Sequence, residues 1–150
     1  MKKFVWKLQQ LLTLKEKQEN ALRADIVTLT EQTMVVKGRI RAMQMRLRAH
    51  QQEIRSLPEE QRIAAQSLYA QQAPVADTVI RQLTEQARAL EQQRRRKLDD
   101  YLQVRKFRKG LERLREKARQ RYQYEMLLEE QKQADDYTHL NWNRPAAATA

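Results

Sequence analysis

Apolar residues recur along the first third of the chain in alternating steps of four and three. From Phe4 the pattern passes through Leu8, Leu11, Lys15, Gln18, Leu22, Ile26, Leu29, Thr33, Val36, Ile40, Met43, Leu47, His50, Ile54 and Leu57. Twelve of these sixteen positions are apolar, against 41% for the whole chain, so the pattern is well above background. Such spacing makes the seam of an α-helical coiled coil, in which one face packs on a partner helix and the rest is solvated. Two consecutive steps of four, from Gln18 through Leu22 to Ile26, form a stutter that unwinds the supercoil locally. The pattern predicts a first helix over about residues 3–56.

Pro58 ends that helix, because it lacks an amide hydrogen and disfavours helical geometry at Leu57. Ser56 and Glu59 have the spacing of a capping box for a new segment, expected over about residues 59–72. Pro74 punctuates again, and a second long helix is expected over about residues 76–138. Its seam runs through Ile80, Leu83, Ala87 and Leu90, then Leu98, Tyr101, Val104, Phe107, Leu111, Leu114, Ala118 and Tyr122. Between Leu90 and Leu98 no residue is apolar. One of Arg94–Lys97 must therefore point inward, its stem packing while its head snorkels outward. Residues 141–150 follow no period and are expected to form a disordered tail.

Two long helices around a break imply an all-α fold, a long antiparallel two-helix coiled-coil hairpin over residues 1–140 with its break near residues 57–75. A turn centred near residue 66 would bring Lys3 and Lys7 beside Glu129 and Glu125. There, basic residues at a helix start and acidic ones at a helix end would compensate each other. The same register would set Lys15 against Lys117 and Lys37 against Arg95, leaving a band of unrelieved positive charge. Because the two seams satisfy each other within one chain, a monomer is expected.

Composition narrows the chemistry. The 150 residues include two Gly, three Pro and no Cys, which excludes a disulfide framework and a Cys-based zinc site. No stretch approaches the roughly 20 apolar residues of a membrane span. Lys7, Gln9 and Gln10 interrupt the apolar run at the start, which has no small-residue cleavage site, so a soluble intracellular chain is expected. Gly38 and Gly110 stand alone and form no phosphate-cradling loop. His50 and His139 are far apart, and His50 on the seam reads as a register-setting residue. The adjacent carboxylates Asp99–Asp100, Glu129–Glu130 and Asp135–Asp136 diverge by about 100° on a helix. Neither a catalytic centre, a cofactor site, a metal site nor a small-molecule substrate is expected.

Charge supplies the candidate site. The net charge of +11 divides into +7 over residues 1–57, −2 over 58–93, +9 over 94–121 and −3 over 122–150. Such a distribution calls for an acidic partner. Arg105, Arg108, Arg113, Arg115, Lys117 and Arg119 flank the second seam and are the candidate partner-binding residues. Phe107, Leu111 and Leu114 are reserved for the partner helix, as are Leu8, Leu11, Leu22, Ile26, Leu29, Val36 and Ile40 on the first. Trp6 and Trp142 are candidate anchors, since exposed Trp is favoured at hot spots; the alternative for Trp6, beside the seam, is packing against Met126–Leu128, and Trp142 has no obvious core to join.

Two stretches around the central break resemble one family. "FVWKLQQLLTLKEKQE" opens the chain with an aromatic pair, Leu-Gln, Leu-Leu and Lys-Glu. "RKFRKGLERLREKARQRYQYEMLLEEQKQADD" closes it with Leu-Glu-Arg-Leu-Arg-Glu, a Tyr, and Glu-Gln-Lys before Asp. Together they resemble FliJ, the stalk of the bacterial flagellar type III export apparatus, over most of the length. The resemblance implies an antiparallel helical hairpin similar to the central stalk of rotary ATPases. It also implies a soluble, chaperone-like component that couples a hexameric export ATPase to the membrane export gate and contacts export chaperones. Such a protein is cytoplasmic, peripherally associated with the inner membrane at the flagellar base, and serves motility and chemotaxis. On that reading the six basic residues would face the ATPase ring. The alternatives are the stalk of a virulence type III secretion system and a basic coiled coil binding nucleic acid. The latter has backbone-neutralising charge but no groove-entering module or platform of interleaved aromatics.

Overall fold

The computed structural model describes residues 3–142. Two helices account for nearly all of them, α1 over Gln9–Ser56 and α2 over Glu59–Trp142, and no strand occurs among the described residues. They form a helical hairpin. Pro58 sets the turn, as its position in the sequence requires. Its carbonyl accepts the amides of Gln61 and Arg62, both at 3.0 Å, and α2 starts with Glu59 and Glu60, whose charge suits a helix N-terminus. Ser56 does not cap α2. Its hydroxyl donates back to the Glu53 carbonyl at 2.7 Å and closes α1 instead, while an Arg62 guanidinium nitrogen donates to the Leu57 carbonyl at 3.0 Å.

The break is narrower than the sequence implies. No separate segment covers 59–72, because α2 runs straight through Pro74. A proline inside a helix forfeits one backbone hydrogen bond and costs about 3 kcal/mol. Here Ala70 and Pro74 are both exposed residues, and the Thr78 hydroxyl donates to the Pro74 carbonyl at 2.9 Å. At the other end, α1 begins at Gln9 rather than near residue 3. Its first turn holds no acidic residue and Lys3 and Lys7 precede it, a charge order that opposes the helix dipole. Of the expected tail, Asn141 and Trp142 still belong to α2, and residues 143–150 lie outside the described residues.

Closing the turn at Leu57–Pro58 slides the register by about ten residues from one centred at residue 66. Two compact units each show it. In Gln18–Val104, the Asp25 carboxylate meets the Lys97 ammonium at 2.9 Å, and the His50 ring stacks on Tyr69 with centroids 5.9 Å apart. The Gln51 amide also donates to the Tyr69 hydroxyl at 2.6 Å. In the unit made of residues 1–17 and 105–150, Phe4 lies against Tyr122 with centroids 5.5 Å apart, and the Lys15 ammonium sits 5.1 Å from the Phe107 ring centroid. The shift relieves the expected repulsion. Lys15 meets an aromatic ring instead of Lys117, and Lys37 acts on the Glu91 carboxyl instead of facing Arg95. It also removes the expected end pairing. Among the described residues no ion pair joins Lys3 or Lys7 to Glu129 or Glu125, and every residue from Leu127 to Leu140 is exposed.

The first seam is buried or half-buried at Leu11, Leu22, Ile26, Leu29, Val36 and Ile40, whereas Leu8 is exposed and Leu12 is the fully buried leucine. On α2, Phe107 and Leu114 do not belong to the packed seam, being 50% and 51% exposed. Tyr101, Val104, Arg108, Leu111, Ala118 and Tyr122 face inward. After Val104 the seam takes a step of four rather than three. This keeps it on the line set by Tyr101 and Leu111 and turns an arginine inward.

Candidate docking surface

The basic stretch of α2 is a single regular helix, so its side chains fan out at about 100° per residue. Arg105, Arg113, Arg115, Lys117 and Arg119 are all exposed. Arg108 is not among them. Its side chain is 19% exposed and its guanidinium pairs with Glu112 one turn on, so it is a seam residue whose stem packs while its head stays satisfied. The sequence carries a signal for this, since Arg108 is four residues beyond Val104 and three before the buried Leu111. The Arg115 guanidinium donates to the Gln9 side-chain oxygen at 3.4 Å. Arg115 and Arg119 then line a shallow groove of about 380 Å³ with Phe4, Val5, Trp6 and Gln9. Trp6 is half-buried there, so the cationic surface at this end of the chain also presents an aromatic wall. Trp142, at the end of α2, is 87% exposed.

Further up α2 the polar run Arg94–Lys97 turns two residues inward rather than one. Arg94 makes a two-pronged contact with Glu91, at 3.1 and 2.7 Å. Its hydrogen bond holds the Glu91 carboxyl below the usual carboxylate range, with the charges of Arg94, Lys37 and Arg95 acting in the same direction. The hydrogen bond to Asp25 raises the Lys97 ammonium above its ordinary value, aided by the Asp25 charge. A raised ammonium contributes stability that is complete below its unfolded pKa and is lost only as pH rises through the folded one, so this contact persists through neutral pH. It also marks the register. Asp25→Lys should lower the melting temperature by a small amount, and Asp25→Lys combined with Lys97→Asp should recover it. Thermal melts of both variants check this, and the register is wrong if the double exchange melts below the single one.

His50 takes the expected place on the seam, and among the described residues no group of three or more His, Asp or Glu could hold a metal ion. The family described as Flagellar FliJ protein matches residues 3–147, nearly the whole chain. This chain belongs to the FliJ family. Membership makes it a component of flagellar type III protein export and favours the flagellar system over the virulence one. FliJ proteins are export-stalk proteins, not a known class of enzyme. Neither the curated proteins nor the solved structures contain a significant match. No helix among the described residues is long and apolar enough to cross a membrane.

Proposed function

We propose that this FliJ-family chain is a stalk that couples a hexameric export ATPase to the membrane export gate during flagellum assembly. The observation that carries the reading is the exposed basic surface of Arg105, Arg113, Arg115, Lys117 and Arg119 on the helical end that also holds Phe4 and Trp6. A helix entering a ring is met from several sides, and a surface charged around much of its circumference suits that. The positive sign suits an acidic ring lining, because complementary potentials steer encounter and fix orientation. Export chaperones and the gate are the further partners. The working place is the cytoplasmic face of the inner membrane at the flagellar base, and the outcome is motility.

Titrating the purified chain into the export ATPase tests this. Hydrolysis should rise with added chain, and the gain should shrink as salt is raised, since exposed charge contacts are screened over about 10 Å at 0.1 M ionic strength. A chain that leaves hydrolysis unchanged but binds DNA or RNA with a steep salt dependence would instead be a nucleic-acid-binding coiled coil.

A further inference from the structure

We propose that one side of the Gln18–Val104 unit is a docking face for an anionic lipid surface, built on two rows of arginine. The residues that directly follow the inward positions Ile26, Thr33, Ile40, Leu47 and Ile54 of α1 are Val27, Met34, Arg41, Arg48 and Arg55. Those that follow Ile80, Ala87, Arg94 and Tyr101 of α2 are Arg81, Arg88, Arg95 and Leu102. All nine are exposed and none is acidic. Along each helix they recur every seven residues, about 10.5 Å apart at roughly 1.5 Å per residue.

The opposite side has no such excess. The residues that precede the same inward positions are Asp25, Gln32, Arg39, Arg46 and Glu53 on α1, and Val79, Gln86, Gln93 and Asp100 on α2, so acidic groups outnumber basic ones there. Asp25, Gln32 and Arg39 line shallow grooves together with Gln86, Gln93 and Asp100, which puts them on one side of the helix pair and the arginine rows on the other. Arg88 and Arg95 reach Glu85 and Glu91, at 2.8 and 4.0 Å. Among the described residues no ion pair engages Arg41, Arg48, Arg55 or Arg81.

The occupant follows from this arrangement. A flat surface touches a helix pair on one side only, and here both rows reach that side together. The exposed basic residues of 105–119 instead fan around their helix. Guanidinium groups pair two-pronged with phosphate oxygens, and clustered basic side chains are drawn to anionic headgroups. Both rows also end in exposed apolar side chains, Met34 and Val27 before Arg41 and Leu102 after Arg95. Antiparallel helices bring those ends together, where apolar groups can enter the headgroup layer. A nucleic-acid backbone has no use for them, and none of the nine residues is an aromatic that could stack on a base. The face shares no residue with the proposed ring surface, and its test contains no ATPase, so the stalk reading can fail without it and it without the stalk reading.

Flotation of the full chain with vesicles tests this. The chain should float with mixed phosphatidylglycerol and phosphatidylcholine, stay behind with phosphatidylcholine alone, and be released by salt. Reversal of Arg41, Arg48 and Arg81 to Glu should weaken vesicle binding by at least about a hundredfold. Reversal of Arg39, Arg46 and Arg96, exposed on the opposite side, changes the net charge equally and should leave binding largely intact. Met34→Asn combined with Leu102→Asn should weaken it by a smaller factor. Circular dichroism on the same samples verifies that helix content is retained. A wild-type chain that does not float overturns the proposal, as do equal losses from the two triple reversals or capture of duplex DNA in preference to the vesicles.

Discussion

Leu111→Asp should lower stability by about 3–5 kcal/mol, the range for deleting a buried leucine with a carboxylate put in its place. Leu111 is only 5% exposed on the inward face of α2, in the same compact unit as the contacts of Phe4 with Tyr122 and Lys15 with Phe107. An ionised side chain there must either remain desolvated or pull its turn away from the partner segment. A fall in melting temperature of roughly 10 °C is expected. Leu114→Asp is the internal comparison. Leu114 lies three residues away but is 51% exposed, and its carboxylate would stay in water. Its melting temperature should change little. Equal losses at the two positions would mean that the inner face of α2 has been assigned to the wrong residues.

Reversal of Arg105, Arg113 and Arg119 to Glu is expected to have the largest effect on function. All three are exposed, so the hairpin should fold with unchanged helix content. Arg108, equally basic in sequence, is excluded because its side chain packs on the seam against Glu112 and its loss would disturb folding. Three reversals replace attraction by like-charge contact at several points of an interface, where each mismatch can cost several kcal/mol. ATPase stimulation should be lost, and binding to the ATPase should weaken by at least about a hundredfold. Hydrolysis assays and helix content measured on the same preparation check this. Stimulation equal to wild type would reduce the basic surface to a solvated face.

Much of the fold is legible in the sequence because a coiled coil writes its packing in a single repeating step. The steps of four and three name most of the α1 seam, and Pro58 marks the turn by removing a backbone donor. Two features are hidden for different reasons. The continuity of α2 through Pro74, at an exposed turn, is set by the surroundings of that turn, which no local pattern encodes. The register depends on where the return helix begins, and treating residues 59–72 as part of the tip moved every partner by about ten positions. That error produced apparent clashes, such as Lys15 with Lys117, which vanish once Lys15 rests on Phe107. The basic surface was legible as composition. Which arginine faces inward is legible only in the phase set by Tyr101, Val104 and Leu111, which selects Arg108 although Phe107 looks the better seam residue.

The central claim is that the basic stretch of α2 contacts the export ATPase. The chain has no cysteine, so a single one can carry a photoreactive label at a chosen site. Labels at Lys109, within the basic stretch, and at Gln72, in the Gln18–Val104 unit, both occupy exposed positions. After irradiation in the presence of the assembled ATPase, the label at position 109 should yield an adduct with the ATPase subunit and the label at 72 should not. An ATPase adduct from position 72 with none from 109 would contradict the assignment.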